Sequence, residues 1–376
     1  MVPHISVNTS VWVPLRGLHT RACNYTSFSF LDPGGNKRHV LANSSFQLVK
    51  NRIIQFVGSF NRVKKINILF KKLILMKRFY IAERFSFDLD DKTEDNQIVD
   101  DDLSTLSKKY NYFPKTKKEL QNLVDELIEE RGNEADLNDI YTGDITDMSE
   151  LFKYRSGFNG DKFNGDISGW DGSNVENMYH MFFGCWEFNG DISQWDVSNV
   201  KDTHGMFGGC KSFNQDISGW DVSSVEDMSA MFTCCYIFNQ DISGWDVSNV
   251  ENMEKMFSRC EKFNQDLSGW DVSNVENMSY MFSYCSSFNQ DISCWDVSKV
   301  KNMSAMFAGC KKFNQDISGW DVSKVKYMSY MFYECEKFNQ DISGWDVSSI
   351  EDIEWMFSIF KGCSLPEEKQ PKFKNL

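Results

Sequence analysis

Histidine is scarce in this chain, long apolar runs are missing, and residues 1–75 hold a single acidic side chain, Asp32. Each shortage excludes something. The five histidines, His4, His19, His39, His180 and His204, fall in no Cys–His or Ser–His–Asp spacing that would join a nucleophile to its base. No glycine-rich phosphate loop and no zinc-type ligand spacing occurs, and the adjacent Cys234 and Cys235 have no supporting ligands in sequence. The chain therefore reads as a non-enzyme, with no catalytic, cofactor-binding or metal-binding residue assigned. No run of about 18 uncharged apolar residues exists, so no transmembrane helix is expected. No compact apolar stretch near the start ends in small residues, so a secretory signal is a poor fit.

Positive charge is confined. Residues 1–85 carry 14 Lys and Arg against 2 Asp and Glu, and residues 86–376 hold the other 26 basic and 52 acidic side chains. Phosphate binding needs a basic surface, so the acidic body excludes nucleic acid as a partner. Within residues 1–75 lies a basic apolar stretch, LVKNRIIQFVGSFNRVKKINILFKKLILMKRF. Three readings of residues 1–75 stand side by side. The segment has the Arg- and Ser-rich, acid-poor composition of a transit peptide; its basic apolar stretch could form an amphipathic helix on a membrane surface; or the protein opens at Met76 and the segment is an over-extended start. Residues 76–112 include DLDDKTEDNQIVDDD, a solvated acidic linker.

What the chain has in abundance is repetition. Phe263 to Ser287 reads FNQDLSGWDVSNVENMSYMFSYCSS, and Phe288 to Lys312 reads FNQDISCWDVSKVKNMSAMFAGCKK. Trp170, Trp195, Trp220, Trp245, Trp270, Trp295, Trp320 and Trp345 mark eight copies without an insertion. A fixed period of this size means a stacked array. Within the copy from Phe263, the residues Phe263, Leu267, Trp270 and Val272 predict an extended segment with one inward face. Ser273 and Glu276 read as a capping box, and Val275, Met278, Met281, Phe282 and Cys285 as one face of a short helix. Five copies keep that Glu, and three carry Lys201, Lys301 or Lys326. Each copy is then a strand, a turn and a short helix that cannot bury its own apolar face. Stacking at about 4.8 Å lets each cover the next.

Upstream, Thr116 with Glu119 forms a capping box, and Leu120, Leu123, Val124 and Leu127 at helical spacing before Gly132 predict a helix of about 15 residues. It reads as a lid on the first copy. DITDMSELF at 144–152 matches the second half of a repeat, and FNGD at Phe158 and again at Phe163 shifts the phase by five. The organisation expected is thus 1–75 basic segment, 76–112 linker, 113–162 helical cap with a partial repeat, 163–363 repeats and 364–376 charged tail.

These residues carry a resemblance. FNQDISGWDVSNVENMSYMF, with MF followed by a Cys, resembles the BspA-like leucine-rich-repeat surface proteins, in the 25-residue PARCEL form. FPKTKKELQNLVDELIEERGNEADLNDI resembles that family's N-terminal cap, and the match covers about 114–363. The resemblance implies an α/β, leucine-rich-repeat-like solenoid of about eight strand–turn–helix coils with a helical cap. It also implies a cell-surface or secreted protein acting in adhesion or host contact. Residues 1–112 depart from it and show no export or lipoprotein signal, which leaves an intracellular or virion-associated place open.

Several columns invite a site. Asp166, Asp191, Asp216, Asp241, Asp266, Asp291, Asp316 and Asp341 form one row, and Asp171, Asp196, Asp221, Asp246, Asp271, Asp296, Asp321 and Asp346 a second. Like charges about 5 Å apart repel by about 3 kcal/mol at an effective dielectric of 20. Such rows must be solvated, hydrogen-bonded to turn amides, or bridged by calcium. The Asn and Gln of FNQD read as a ladder that satisfies backbone groups. The Trp column reads as core, with a carbohydrate-stacking row as the other reading. Cys185, Cys210, Cys235, Cys260, Cys285, Cys310 and Cys335 stand 25 apart and read as buried free thiols.

Columns identical in every copy serve the scaffold, so recognition belongs where copies differ. His180, Gly205, Ala230, Lys255, Tyr280, Ala305, Tyr330 and Trp355 occupy one variable column; Gly184, Gly209, Cys234, Arg259, Tyr284, Gly309, Glu334 and Ile359 occupy the next. Tyr280, Tyr284, Tyr330, Tyr333 and Trp355 are the candidate partner-binding residues, because Tyr and Trp anchor interfaces. The function expected is a monomeric, non-enzymatic adhesion or protein-interaction array with a protein partner. The alternative is a calcium-dependent or carbohydrate-binding repeat protein.

Overall fold

In the computed structural model the chain divides into two units, Met1–Ser86 and Phe87–Leu376. The residues described are 109–153, 162–351 and 358–373, together with three strands of the first unit. These are β1 (Ser6–Thr9), β2 (Tyr25–Leu31) and β3 (Lys37–Asn43), an antiparallel sheet in the order β1-β2-β3. Phe28 stands opposite Val7 on one side and Val40 on the other. The sequence reading found no element here. The signal was present, since Phe28 and Phe30 alternate with serines in YTSFSFL and Asp-Pro-Gly-Gly-Asn separates two strand-like runs. The basic apolar stretch from Leu48 to Phe79 and the linker up to Lys108 lie outside the described residues, as does Met76.

The second unit opens with α1 (Lys117–Arg131). Thr116 caps it by accepting from the Glu119 N–H at 3.2 Å, while the Glu119 carboxylate accepts from the Lys115 N–H at 3.0 Å, one residue ahead of the cap position. Gly132, at φ +89°, ends the helix with its N–H on the Ile128 carbonyl at 2.8 Å. Leu120, Val124, Leu127 and Ile128 are buried and join the same apolar core as the repeats.

That core is periodic. In the copy from Phe263, all nine apolar positions from Phe263 to Cys285 are at most 4% exposed. Phe282 stacks on Phe257 of the preceding copy at 5.7 Å, on Phe307 of the following copy at 5.9 Å, and on nearby Phe288 at 4.0 Å. Trp295 and Trp320 lie parallel at 6.4 Å.

The strand and the helix expected within each copy do not form. Among the described residues of the copies there is no α-helix, and single parallel bridges such as Asn252↔Asn277↔Asn302 fall in the stretch expected to be helical, not on the expected strand from Phe263 to Val272. The hydrogen bonds give the reason. Alternate amides, those of Met278, Tyr280, Phe282 and Tyr284, donate to the carbonyls of Asn302, Ser304, Met306 and Ala308 in the next copy, at 2.6 to 3.0 Å. The amides between them close three-residue turns, Met281 on Met278 and Cys285 on Phe282. No amide in this stretch remains for a bond four residues back, and Tyr280 and Tyr284 sit at φ +58° and +59°, outside the helical region. Successive turns repeat the i, i+3, i+7 spacing of a helix, so the apolar pattern could not separate the two.

The expected Ser273–Glu276 capping box is absent for the same reason. Asp271 accepts the Ser273 N–H at 3.0 Å, and Glu276 instead receives Lys301 Nζ of the next copy at 2.6 Å. The last copy also shifts register. Phe332 stacks on Phe360, and the Glu334 N–H donates to the Lys361 carbonyl, where the spacing of the earlier copies points to Ser358. Three extra residues therefore place Ile359 in the core and Gly362, at φ +77°, in the position expected for Ile359. The segment expected to be a charged tail continues the packing. Leu365 is buried, Phe373 packs on the core, and the Lys369 carbonyl accepts the Ile342 N–H at 3.0 Å.

Candidate functional site: the left-handed columns

The two variable columns share a backbone property that the sequence reading did not identify. His180, Ala230, Lys255, Tyr280, Ala305 and Tyr330 have φ between +52° and +59°, and Gly205 has +58°. In the second column Cys234, Arg259, Tyr284 and Glu334 have φ between +54° and +62°, and Gly184, Gly209 and Gly309 are likewise positive. The inter-copy ladder requires this conformation twice per copy. Glycine adopts it freely, whereas an L side chain there costs about 1–2 kcal/mol. The glycines at 184, 205, 209 and 309 were the available signal. Bulky residues elsewhere in these columns are thus held against a local preference.

Tyr280 and Tyr284 are each 40% exposed, on one copy. Lys255 Nζ lies 5.4 Å from the Tyr280 ring centroid, and the Arg259 guanidinium 5.0 Å from that of Tyr284. The Tyr284 ring in turn covers Gly309, where an added Cβ would stand 2.5 Å from its Cδ1. Two copies on from Tyr280, Tyr330 and Tyr333 meet edge-on at 5.8 Å, both half-buried. Between the tyrosine pairs, Ala305 and Ala308 are buried. The carboxylate of Glu334, hydrogen-bonded to the Tyr333 phenol, holds that phenol above its ordinary pKa. The structure thus places Tyr280 with Tyr284 on one copy and Tyr330 with Tyr333 two copies on, with the copy carrying Ala305 and Ala308 between them. Trp355 lies outside the described residues. Sequence reasoning missed Tyr327, exposed in a column that is otherwise Asn or Asp, and the exposed Trp186, over which Lys211 Nζ sits at 4.2 Å.

The other columns are occupied structurally. In the repeat column of Trp residues, from Trp195 to Trp345 each indole donates to a carbonyl of the preceding copy, and the column members are at most 5% exposed, leaving no ring face there for a sugar. Asp266 and Asp271 accept the amides of Ser268 and Ser273 at 2.9 and 3.0 Å. These bonds, led by the Ser268 amide for Asp266 and the Ser273 hydroxyl for Asp271, hold both carboxyls below the usual range despite the neighbouring Asp charges. Among the described residues no group of three or more His, Cys, Asp or Glu could hold a metal ion. The Asn ladder runs from the Asn264 Oδ1 to the Asn289 N–H at 2.8 Å, with Gln290 Nε2 on the Asn264 carbonyl at 2.9 Å. The Cys285 thiol donates to the Phe257 carbonyl at 2.8 Å, and burial pushes the thiols of this column up.

Two histidines do meet. The His180 and His204 rings are 5.1 Å apart, and Lys153 Nζ is 3.3 Å from His180 Nδ1. Burial, then the Lys153 charge, lowers His180 to about 4. His204 Nδ1 contacts the Ser229 hydroxyl, which bonds Asp227. In an acyl-transfer triad the carboxylate orients the histidine. Here it faces the serine, and Ser229 is buried.

Together the columns define a 25-residue repeat protein whose interior is uniform and whose left-handed face varies. The family model described as "Mycoplasma protein of unknown function, DUF285" matches residues 118–235, 190–282, 215–308 and 260–366. The chain belongs to that family. No curated protein and no solved structure matches it.

Proposed function

We propose that the repeats form a leucine-rich-repeat-like solenoid, built from turns rather than strands and helices, that acts as a non-enzymatic interaction or adhesion protein. The left-handed face around Tyr280, Tyr284, Tyr330 and Tyr333 is its docking surface. The observation that carries this reading is the strain. The fold needs positive φ at these positions and accepts glycine there in other copies, yet Tyr280, Tyr284 and Tyr330 put large aromatic side chains at φ +58° to +59°. Strain kept where a cheaper residue serves marks selection for the side chain. Tyrosine is suited to this, since it supplies contact area at low entropic cost. The resemblance to BspA-like surface proteins supports adhesion or host contact as the setting.

The test is quantitative capture from host-cell membrane extract by immobilised protein. Tyr280→Ala with Tyr284→Ala and Tyr330→Ala should abolish capture, while Asp266→Asn with Asp291→Asn on the Asp row leaves it intact. Equal capture by the tyrosine variant removes this face from the function.

A further inference from the structure

Arg259 is the single arginine of residues 163–363, and with Lys211, Lys262, Lys299, Lys312, Lys324 and Lys337 it makes no ion pair among the described residues. Lys201, Lys301 and Lys326 each pair with a glutamate of an adjacent copy, Lys311 pairs with Glu336, and Lys255 with Glu254. Arg131 shows what a structural arginine does in this chain: its fork grips both oxygens of Asp139 at 3.0 Å. Arg259 has no carboxylate within 4 Å among the described residues, although residues 86–376 hold twice as many acidic as basic side chains. It is exposed, sits at φ +62° where three other copies have glycine, and lies 5.0 Å from the Tyr284 ring centroid.

We propose that Arg259, positioned by Tyr284, is the anchor for a carboxylate side chain of a protein partner, with Tyr280 and Tyr284 as the flanking aromatic contacts. This rests on the reading of the tyrosine face as a docking surface. The charge argument is complementarity. A guanidinium on an aromatic ring, with its N–H fork unclaimed, is matched by a bidentate carboxylate. A glycan fits less well, because a sugar stacks on a free ring face, and Lys255 and Arg259 lie over the rings of Tyr280 and Tyr284. A polyanion such as nucleic acid fits less well, because residues 86–376 hold 52 acidic against 26 basic side chains.

The probe is a fluorescein-labelled dodecapeptide of Ser and Tyr with one central Glu, compared with the same peptide carrying Gln in place of that Glu, by fluorescence anisotropy at physiological salt on the full chain. The Glu peptide should bind about tenfold tighter than the Gln peptide, the scale of one charge-assisted hydrogen-bonded pair. Arg259→Gln should erase that preference, and Arg259→Lys should restore only part of it, since an ammonium lacks the planar fork. Equal binding of the two peptides to the wild type, including no binding by either, overturns the proposal, as does a preference that survives Arg259→Gln. If Tyr280→Ala with Tyr284→Ala removes binding of both peptides while Arg259→Gln changes neither, the docking face stands and the carboxylate anchor falls. Binding of 3′-sialyllactose in place of either peptide overturns both.

Discussion

The indole Nε1 of Trp295 donates to the main-chain carbonyl of Leu267, in the preceding copy, at 3.0 Å in a fully buried setting. The same bond recurs from Trp270 to Ile242 and from Trp320 to Ile292, both at 3.1 Å. Each copy is therefore tied to its neighbour by a side chain as well as by the backbone ladder. Trp295→Phe keeps the aromatic core and removes one of the two donors to the Leu267 carbonyl, which retains the Trp270 N–H at 3.1 Å. It should cost about 0.5–1.5 kcal/mol, the net worth of one hydrogen bond whose acceptor stays satisfied. Urea unfolding followed by circular dichroism measures it, and a loss below about 0.5 kcal/mol would show that the bond adds nothing net.

Gly309 lies beneath Tyr284 at φ +69°. Gly309→Ala meets two penalties, the left-handed backbone at about 1–2 kcal/mol and the ring clash in addition. Tyr284→Ala should relieve the second and leave the first. Thermal melts of the two single variants and the double variant should show positive coupling, the double being less destabilised than the sum. Strict additivity would mean that the ring does not rest on that glycine.

The Asp rows set a sign for pH. The folded carboxyls of Asp266, Asp271 and Asp316 lie below the unfolded value of about 3.9 because serine amides and hydroxyls donate to them. Groups so depressed contribute stability above the unfolded pKa and lose it as pH falls through the folded one. The melting temperature should therefore fall below about pH 4. If mutual repulsion of the rows dominated instead, protonation would stabilise the array and the melting temperature would rise there.

Calcium offers a separate check on the same rows. Asp266 and Asp271 already have an Oδ1 oxygen engaged by a serine amide. Millimolar calcium and a chelator should give superimposable melts, whereas a bound cation would raise the melting temperature by several degrees.

The thiols should divide by burial. Cys294 is exposed and Cys234 half-exposed, while Cys210, Cys235, Cys260, Cys285 and Cys310 are fully buried with their pKa values pushed up. Iodoacetamide on the native protein should label Cys294 and Cys234 and spare the column, read by peptide mass spectrometry. Rapid native labelling of Cys260 or Cys285 would mean that the stack opens far more often than its packing implies.

Much of this was legible from one copy of the repeat. The inward set of Phe263, Leu267, Trp270, Val272, Val275, Met278, Met281, Phe282 and Cys285 follows from apolar spacing alone, because burial is the strongest constraint on residue type. The α1 helix was legible too, from Thr116, Glu119 and Gly132. The conformation around Met278–Cys285 was not, since short turns and a helix place apolar residues at the same intervals. The shift at Ile359 was hidden by the absence of a second Trp to mark the phase.

The sequence by itself determined the period, the core residues and the face on which copies differ, because each depends only on which side chains recur. Tertiary structure alone decided that alternate amides reach across to the next copy. That choice forces positive φ at Tyr280, Tyr284, Lys255 and Arg259 and stations Arg259 over the Tyr284 ring. Those partners stand a full repeat apart along the chain, and only the stack brings them within hydrogen-bonding reach.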